Sequence, residues 1–404
     1  MKPFTIDVPE TVLADLKVRL ARTRLPTRTP GDRWAAGTDP DYLRELLGYW
    51  VDGFDWRARE RWLNSFPQYL ADVGGQTVHF AHVRGVRTAG GPAPLPLVVT
   101  HGWPYSFAEM LPLVSLLTDP AAHGGDAGDA FDVVVPSLPG FGYSTLPQSG
   151  PVTGPAVAET WARLMTDVLG YPRFGTYGED IGSSVSHWIA ATHPDEVIGI
   201  HVAQAAYPPV ERSGDLTAAE QKFLAWAAAK WEGATAYAEL QSTRPDTLAA
   251  ALLDSPSGLA AWMVEKFQAW SDCEGDVERR FRKDDLLTTI MIYWATGTIG
   301  SSFRPYFDQR DSRLPLPVLT VPAGITIGVG DLGMPRSLAE RTYADIRYWH
   351  DLPAGGHFVA NEEPGLVAAD IREFFRPLRH PAERRYGLPP IEVEACWPGG
   401  SAGV

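Results

Sequence analysis

Cysteine is nearly absent from this 404-residue chain: Cys273 and Cys396 are the only two, far apart and outside any metal-ligand spacing. A disulfide framework is therefore excluded as an organising device, and two free thiols in a reducing compartment are expected. Long apolar runs are also missing. None approaches the roughly 18 residues that a membrane span requires, and the opening MKPFTIDVPE has no apolar core of the kind a secretory signal carries. Positive charge is in deficit as well. A net charge of −14 argues against nucleic acid and anionic membrane surfaces as partners. A cytoplasmic location is the expectation that follows. What is present is ordinary for a globular protein with a sizeable core, 45% hydrophobic and 21% charged residues, and the length suits two or three structural units.

The first part of the chain, residues 1–85, reads as helices and loops. Leu13, Leu16 and Leu20 recur at helical spacing after Pro9, and Tyr42 to Trp50 and Trp56 to Leu63 suggest two more short helices. Trp34, Trp50, Trp56 and Trp62 are more indole than a solvated arm needs, so this segment is expected to pack onto a larger body. From about residue 76 short β-branched runs appear, at Thr77–Val83, Leu95–Thr100 and Phe131–Val135. Helical stretches at Ala156–Leu169 and Ser183–His193 alternate with them. The alternation predicts an α/β fold with a mostly parallel central sheet covered on both faces, its first half over residues 86–210. Residues 211–312 break the rhythm, being helical and rich in alanine and tryptophan, and predict an inserted lid. Strands resume at Ile325–Val329 and Ile346–Asp351, with a last helix at Pro364–Phe375, completing the core over 313–378. The tail, 379–404, has little periodicity and is expected to be irregular.

Gly178-Glu179-Asp180-Ile181-Gly182 lies between a strand-like run and a helical run, the setting of a nucleophile elbow, yet the chain contains no G-x-S-x-G. The residue type at the centre decides the chemistry. Serine attacking a saturated carbon would leave an ether, which water does not readily cleave. Aspartate leaves an ester, which water does. The elbow therefore predicts displacement at carbon, as with epoxides or alkyl halides. Three further features fall where such a site needs them. His101-Gly102-Trp103-Pro104 follows a strand, so the Trp103 and Ile181 N–H groups are expected to form an oxyanion hole. His357, in the loop Gly355-Gly356-His357-Phe358, comes after the last strand and suits a general base. Asp331, after Ile325–Gly330, is placed to orient it, with Asp308 as competitor. The lid contributes Tyr237, Tyr293 and Tyr306, any of which is a phenol able to donate to a departing alkoxide at neutral pH.

At this point the residues resemble the microsomal-type (juvenile-hormone-type) epoxide hydrolases, as a bacterial soluble member. The resemblance covers roughly residues 2–378 and rests on FDWRARERWLNSFPQYLADVGGQTVHFAHVRG, HGWP, VVVPSLPGFGYS, STRPDTLAAALLDSPSGLAAWMVEKFQAW, IYWATGTIGSS and PAGGHFVANEEP. It implies an α/β-hydrolase fold with an N-terminal helical segment wrapped around core and lid. It places the nucleophile at Asp180, the base at His357, the acid at Asp331 and the ring-opening donors at Tyr237 and Tyr306, leaving Tyr293 to the core. The implied substrate pocket includes Trp103, Pro104 and Ile181. A small-molecule epoxide and water are the implied partners, with no cofactor, no metal and no membrane anchor, and a homodimer is left open. A role in detoxification or in bacterial natural-product biosynthesis is compatible with the likeness. The chain departs from the family's Gly-Asp-Trp-Gly, which makes Glu179 and Ile181 the positions expected to set substrate preference; on a strand, Glu179 should face away from Asp180. Dehalogenases with the same nucleophile, and non-catalytic proteins of the same fold, are the alternative readings.

Overall fold

The computed structural model describes residues 1–208, 215–231, 234–310, 314–329 and 333–379. Its framework is a nine-stranded sheet: β1 (Lys2–Phe4), β2 (Gln68–Val73), β3 (Gln76–Val83), β4 (Leu95–Thr100), β5 (Phe131–Pro136), β6 (Phe174–Gly178), β7 (Val197–Val202), β8 (Ala323–Ile327) and β9 (Ile346–Asp351), in the order β1-β2-β3-β5-β4-β6-β7-β8-β9. The first three join antiparallel, and every pair from β5–β4 to β8–β9 is parallel. The central strands explain their own sequences. β5 and β6 are buried along their whole length, so neither shows the alternation of a half-exposed strand, and β5 carries a run of three valines. Helix Gly154–Arg163, extended by a π-turn over Leu164–Val168, packs on helix Ile181–Thr192, and helix Pro364–Phe375 packs on Leu111–Thr118.

Two expectations need correction. The N-terminal segment is not only helix and loop, because β1 and β2 extend the sheet at its antiparallel edge. Strand β8 ends at Ile327 rather than Val329. The reason is steric: a Cβ on Gly328 would lie 2.7 Å from the Gly356 carbonyl oxygen, so the chain leaves the sheet where a side chain no longer fits.

Helices Pro40–Asp52 and Trp56–Leu63 start at aspartate caps, Asp39 accepting from Asp41 N and Tyr42 N and Asp55 from Ala58 N. Trp50 and Trp56 are buried in the core, with Trp34 and Trp62 packed against it. This segment grips the helices between β7 and β8. Arg59 pairs with Asp285 at 2.9 Å and donates to Thr288 Oγ1 at 2.8 Å, Tyr49 donates to Asp284 at 2.8 Å, and Thr38 donates to the Ala261 carbonyl at 2.6 Å. Those inserted helices include Ala218–Trp231, Ala236–Thr243, Pro256–Trp270, Lys283–Thr296 and Arg304–Gln309, which stand over the carboxyl ends of the parallel strands, where open α/β sheets present their sites. Residues 380–404, nearly all of the tail expected to be irregular, lie outside the described residues.

Candidate active site

Asp180 sits at the top of β6, between the strand and helix Ile181–Thr192, with φ 52° and ψ −119°. A non-glycine residue is strained there, and the glycines around it make the turn possible. A Cβ on Gly178 would lie 2.1 Å from the Gly182 oxygen, and one on Gly182 would lie 2.0 Å from the Thr100 oxygen. Gly102 is required for a different reason. Its absent Cβ would meet Asp180 Oδ1 at 2.3 Å, so only glycine lets the HGWP loop close on the carboxylate.

That closure brings Trp103 N to 2.9 Å from Asp180 Oδ1. The Ile181 N–H also hydrogen-bonds the carboxylate, at the start of a helix whose dipole favours negative charge. Burial pushes the Asp180 carboxyl up, but the His357 hydrogen bond and charge, with these two N–H groups, outweigh it and hold the carboxyl below its ordinary range. Asp180 is thus an anion at neutral pH. His357 Nε2 lies 3.5 Å from Asp180 Oδ2. The His357 loop is pinned through His357 N to the Trp270 carbonyl at 2.8 Å, and the Trp270 ring packs against the imidazole at 5.2 Å.

The two lid tyrosines converge from helices Ala236–Thr243 and Arg304–Gln309. Their rings are 5.9 Å apart, and their hydroxyls are hydrogen-bonded to each other. Trp103 stacks on Tyr237 at 5.3 Å with 8° between planes and meets Tyr306 edge-on at 6.1 Å. Burial, followed by the Asp180 charge, raises both phenols well above their usual range, so both are neutral donors. Tyr293 is elsewhere, buried and donating to the Tyr105 carbonyl at 2.9 Å. A cavity of about 520 Å³ opens onto Asp180, Ile181, Ser184, Tyr237 and Tyr306. A second, of about 300 Å³, also reaches Asp180 and is lined by Gln204, Phe223, Trp226 and His357. Ile181 lines the first cavity. Trp103 and Pro104 line neither cavity; both are buried, and the Trp103 ring supports the tyrosines from behind.

Asp331 lies outside the described residues. Its competitor Asp308 is engaged structurally, accepting from Val152 N at 2.7 Å and pairing with Arg304 at 2.6 Å. A residue that no motif flagged is Gln204. Its Oε1 accepts from Asp180 N at 2.6 Å and from Ser183 Oγ at 3.1 Å, while its Nε2 reaches the His357 carbonyl at 3.5 Å. Gln204 lies two residues beyond the end of β7, and polar residues just past strand ends at this edge of a parallel sheet are the one signal that could have drawn attention to it.

Glu179 faces away from Asp180, and its expected part in substrate preference is corrected by its position. It is fully buried and lines neither cavity. Oε1 accepts from the Tyr177 hydroxyl and from Ala360 N, each at 2.6 Å, tying the elbow to the segment that follows His357. Burial pushes its carboxyl up to about 7, against those two hydrogen bonds and the His357 charge. A carboxyl that holds its proton more tightly when folded contributes stability in full below about pH 4.5 and loses it as pH rises through about 7. The difference is on the order of 3 kcal/mol. Glu179→Gln should therefore flatten the decline in stability between about pH 5 and 8 in denaturant titrations. Glu109, also raised to about 7 by burial, contributes to both proteins alike. Parallel curves for the two would refute the assignment.

Residues 1–110 match the family described as epoxide hydrolase N terminus, and residues 96–364 match the alpha/beta hydrolase fold. A provisionally named epoxide hydrolase of Stigmatella aurantiaca is 42% identical over 93% of this chain and 85% of its own length. Epoxide hydrolase 1 of Oryctolagus cuniculus is 33% identical over 93% of this chain and 88% of its own. The crystal structure of juvenile hormone epoxide hydrolase from the silkworm Bombyx mori superposes with a TM-score of 0.85 at 26% identity, covering 94% of both chains.

Proposed function

The chain belongs to the microsomal-type epoxide hydrolase family, and from that premise we propose that it opens an epoxide to a vicinal diol through a covalent ester at Asp180. The observation that carries the reading is the meeting, across one cavity, of an ionised aspartate and two neutral phenols. An epoxide oxygen between the tyrosines would present its ring carbon to Asp180.

In the first half-reaction Asp180 Oδ2 attacks that carbon. The new C–O bond forms as the ring C–O bond breaks, and the electron pair moves to the epoxide oxygen, which receives a proton from the tyrosine pair. Oδ1, already held by Trp103 N, becomes the ester carbonyl oxygen. In the second, His357 removes a proton from water, whose oxygen attacks the ester carbonyl carbon. The resulting oxyanion at Oδ1 rests on the N–H groups of Trp103 and Ile181. The bond from that carbon to Oδ2 then breaks, and the imidazolium protonates the departing diol oxygen. Water oxygen remains in Asp180, and the carboxylic acid so formed returns a proton to the tyrosine pair.

Asp331 is the proposed orienting acid. Val329, two residues before it in sequence, donates to the Gly355 carbonyl at 2.8 Å, so the chain at Val329 runs beside the His357 loop.

The tyrosine roles are tested by substitution. Tyr237→Phe and Tyr306→Phe should each lower the rate of ester formation by about 10- to 100-fold, since each phenol can partly cover for the other. The double variant should fall by about a thousandfold or more. Diol formation followed by chromatography reads the outcome, and a double variant within tenfold of the parent would sink the assignment.

A further inference from the structure

Lys266 is the group near this site that the two-step scheme leaves unused. It lies on helix Pro256–Trp270 and is only 8% exposed, unusual for a lysine. Its ammonium is surrounded by aromatic faces, 5.0 Å from the Tyr237 ring centroid, 5.6 Å from Trp262 and 5.8 Å from Trp270. Glu265 is its ion-pair partner. A cavity of about 390 Å³ beside it is lined by Lys266, Tyr237, Trp270, Asp272 and His357.

Resting on the reading that Tyr237 is a ring-opening donor, we propose that Lys266 is a positioning residue for the first half-reaction. It acts through Tyr237, by favouring negative charge on that ring when the phenol gives up its proton. A cation over an aromatic face is attracted more strongly as the ring gains electron density. At rest, burial and then the Asp180 charge oppose ionisation of Tyr237. Alkylation turns Asp180 into a neutral ester, which removes the opposing charge at the step where the Tyr237 proton passes to the epoxide oxygen. The Lys266 ammonium stays over the ring throughout. The phenolate regains its proton from the Asp180 carboxylic acid left by hydrolysis, so Lys266 neither gains nor loses a proton in the cycle. Glu265 tempers the field, and Trp262 and Trp270 fix the ammonium's place by closing the remaining sides of its shell.

The test is rapid-mixing single turnover of full-length protein with a terminal epoxide, separating ester formation from ester hydrolysis. Lys266→Met should slow ester formation by about tenfold and leave ester hydrolysis within about twofold. Lys266→Arg, which keeps a cation in the cage, should recover most of the rate. The loss in Lys266→Met should also grow along a series of epoxides whose alkoxides are increasingly basic, a trend that packing alone would not produce. Should the methionine variant fail to fold, Lys266→Gln carries the same comparison. Equal slowing of both half-reactions, or no slowing of either, overturns the proposal. Failure of the parent enzyme to accumulate an ester would instead overturn the mechanism on which it rests.

Discussion

His357→Gln should open one epoxide per molecule and then stop. Glutamine fills a similar space and cannot serve as a base near neutral pH. In the proposed scheme ring opening needs the Asp180 carboxylate, the phenols and the N–H groups of Trp103 and Ile181, all of which survive the change. Ester formation should slow somewhat, because the His357 hydrogen bond and charge help to keep Asp180 ionised. Hydrolysis, by contrast, would lose the proposed base that deprotonates water. Removing such a base commonly costs a factor of about 10² to 10⁴, so the ester should outlive the assay. The parent protein would show steady diol production. The variant would show none, but its intact mass would rise by the mass of one substrate, with the increment on the peptide containing Asp180. A variant that neither turns over nor carries an adduct would place His357 in the first half-reaction, and one that turns over like the parent would place it outside the chemistry.

Much of this site is legible before any coordinates, and the reason is local. The elbow and the Gly355-Gly356-His357 loop are built where backbone passes backbone, and the HGWP turn where backbone meets the Asp180 side chain, at distances that only glycine permits, and glycine leaves a mark in the sequence. The absent Cβ atoms of Gly102, Gly178, Gly182 and Gly356 would all fall within 2.5 Å of other atoms. Central strands are legible for a related reason, since burial on both faces demands continuous β-branched runs, as in β4 and β5. Edge strands are not. β1 is three residues with a proline, and β2, Gln68–Val73, mixes buried and exposed positions without alternation. β2 is held by pairing with β3, and β1 by pairing with β2, rather than by a pattern of their own.

Residues that act across the fold are the least legible. Gln204 meets Asp180 only because β6 and β7 end side by side, and Lys266 meets Tyr237 only because two lid helices pack together. Glu179 shows the opposite error. Its place beside Asp180 suggested a part in substrate preference, yet the side-chain alternation that the sequence itself predicts turns it into the core, where it joins the elbow to Ala360. Ile181, one residue further on, does line the cavity and remains the candidate for shaping substrate preference.

The central claim is that water attacks the carbonyl carbon of an Asp180 ester, not the epoxide. The two routes give the same diol and differ only in where the water oxygen goes. A single turnover in oxygen-18 water, with enzyme in excess over epoxide, followed by mass analysis of the diol and of the peptide containing Asp180, separates them. Attack on the ester predicts unlabelled diol and one oxygen-18 in that peptide. Labelled diol with an unlabelled peptide would mean that water opens the ring directly, and would contradict the account.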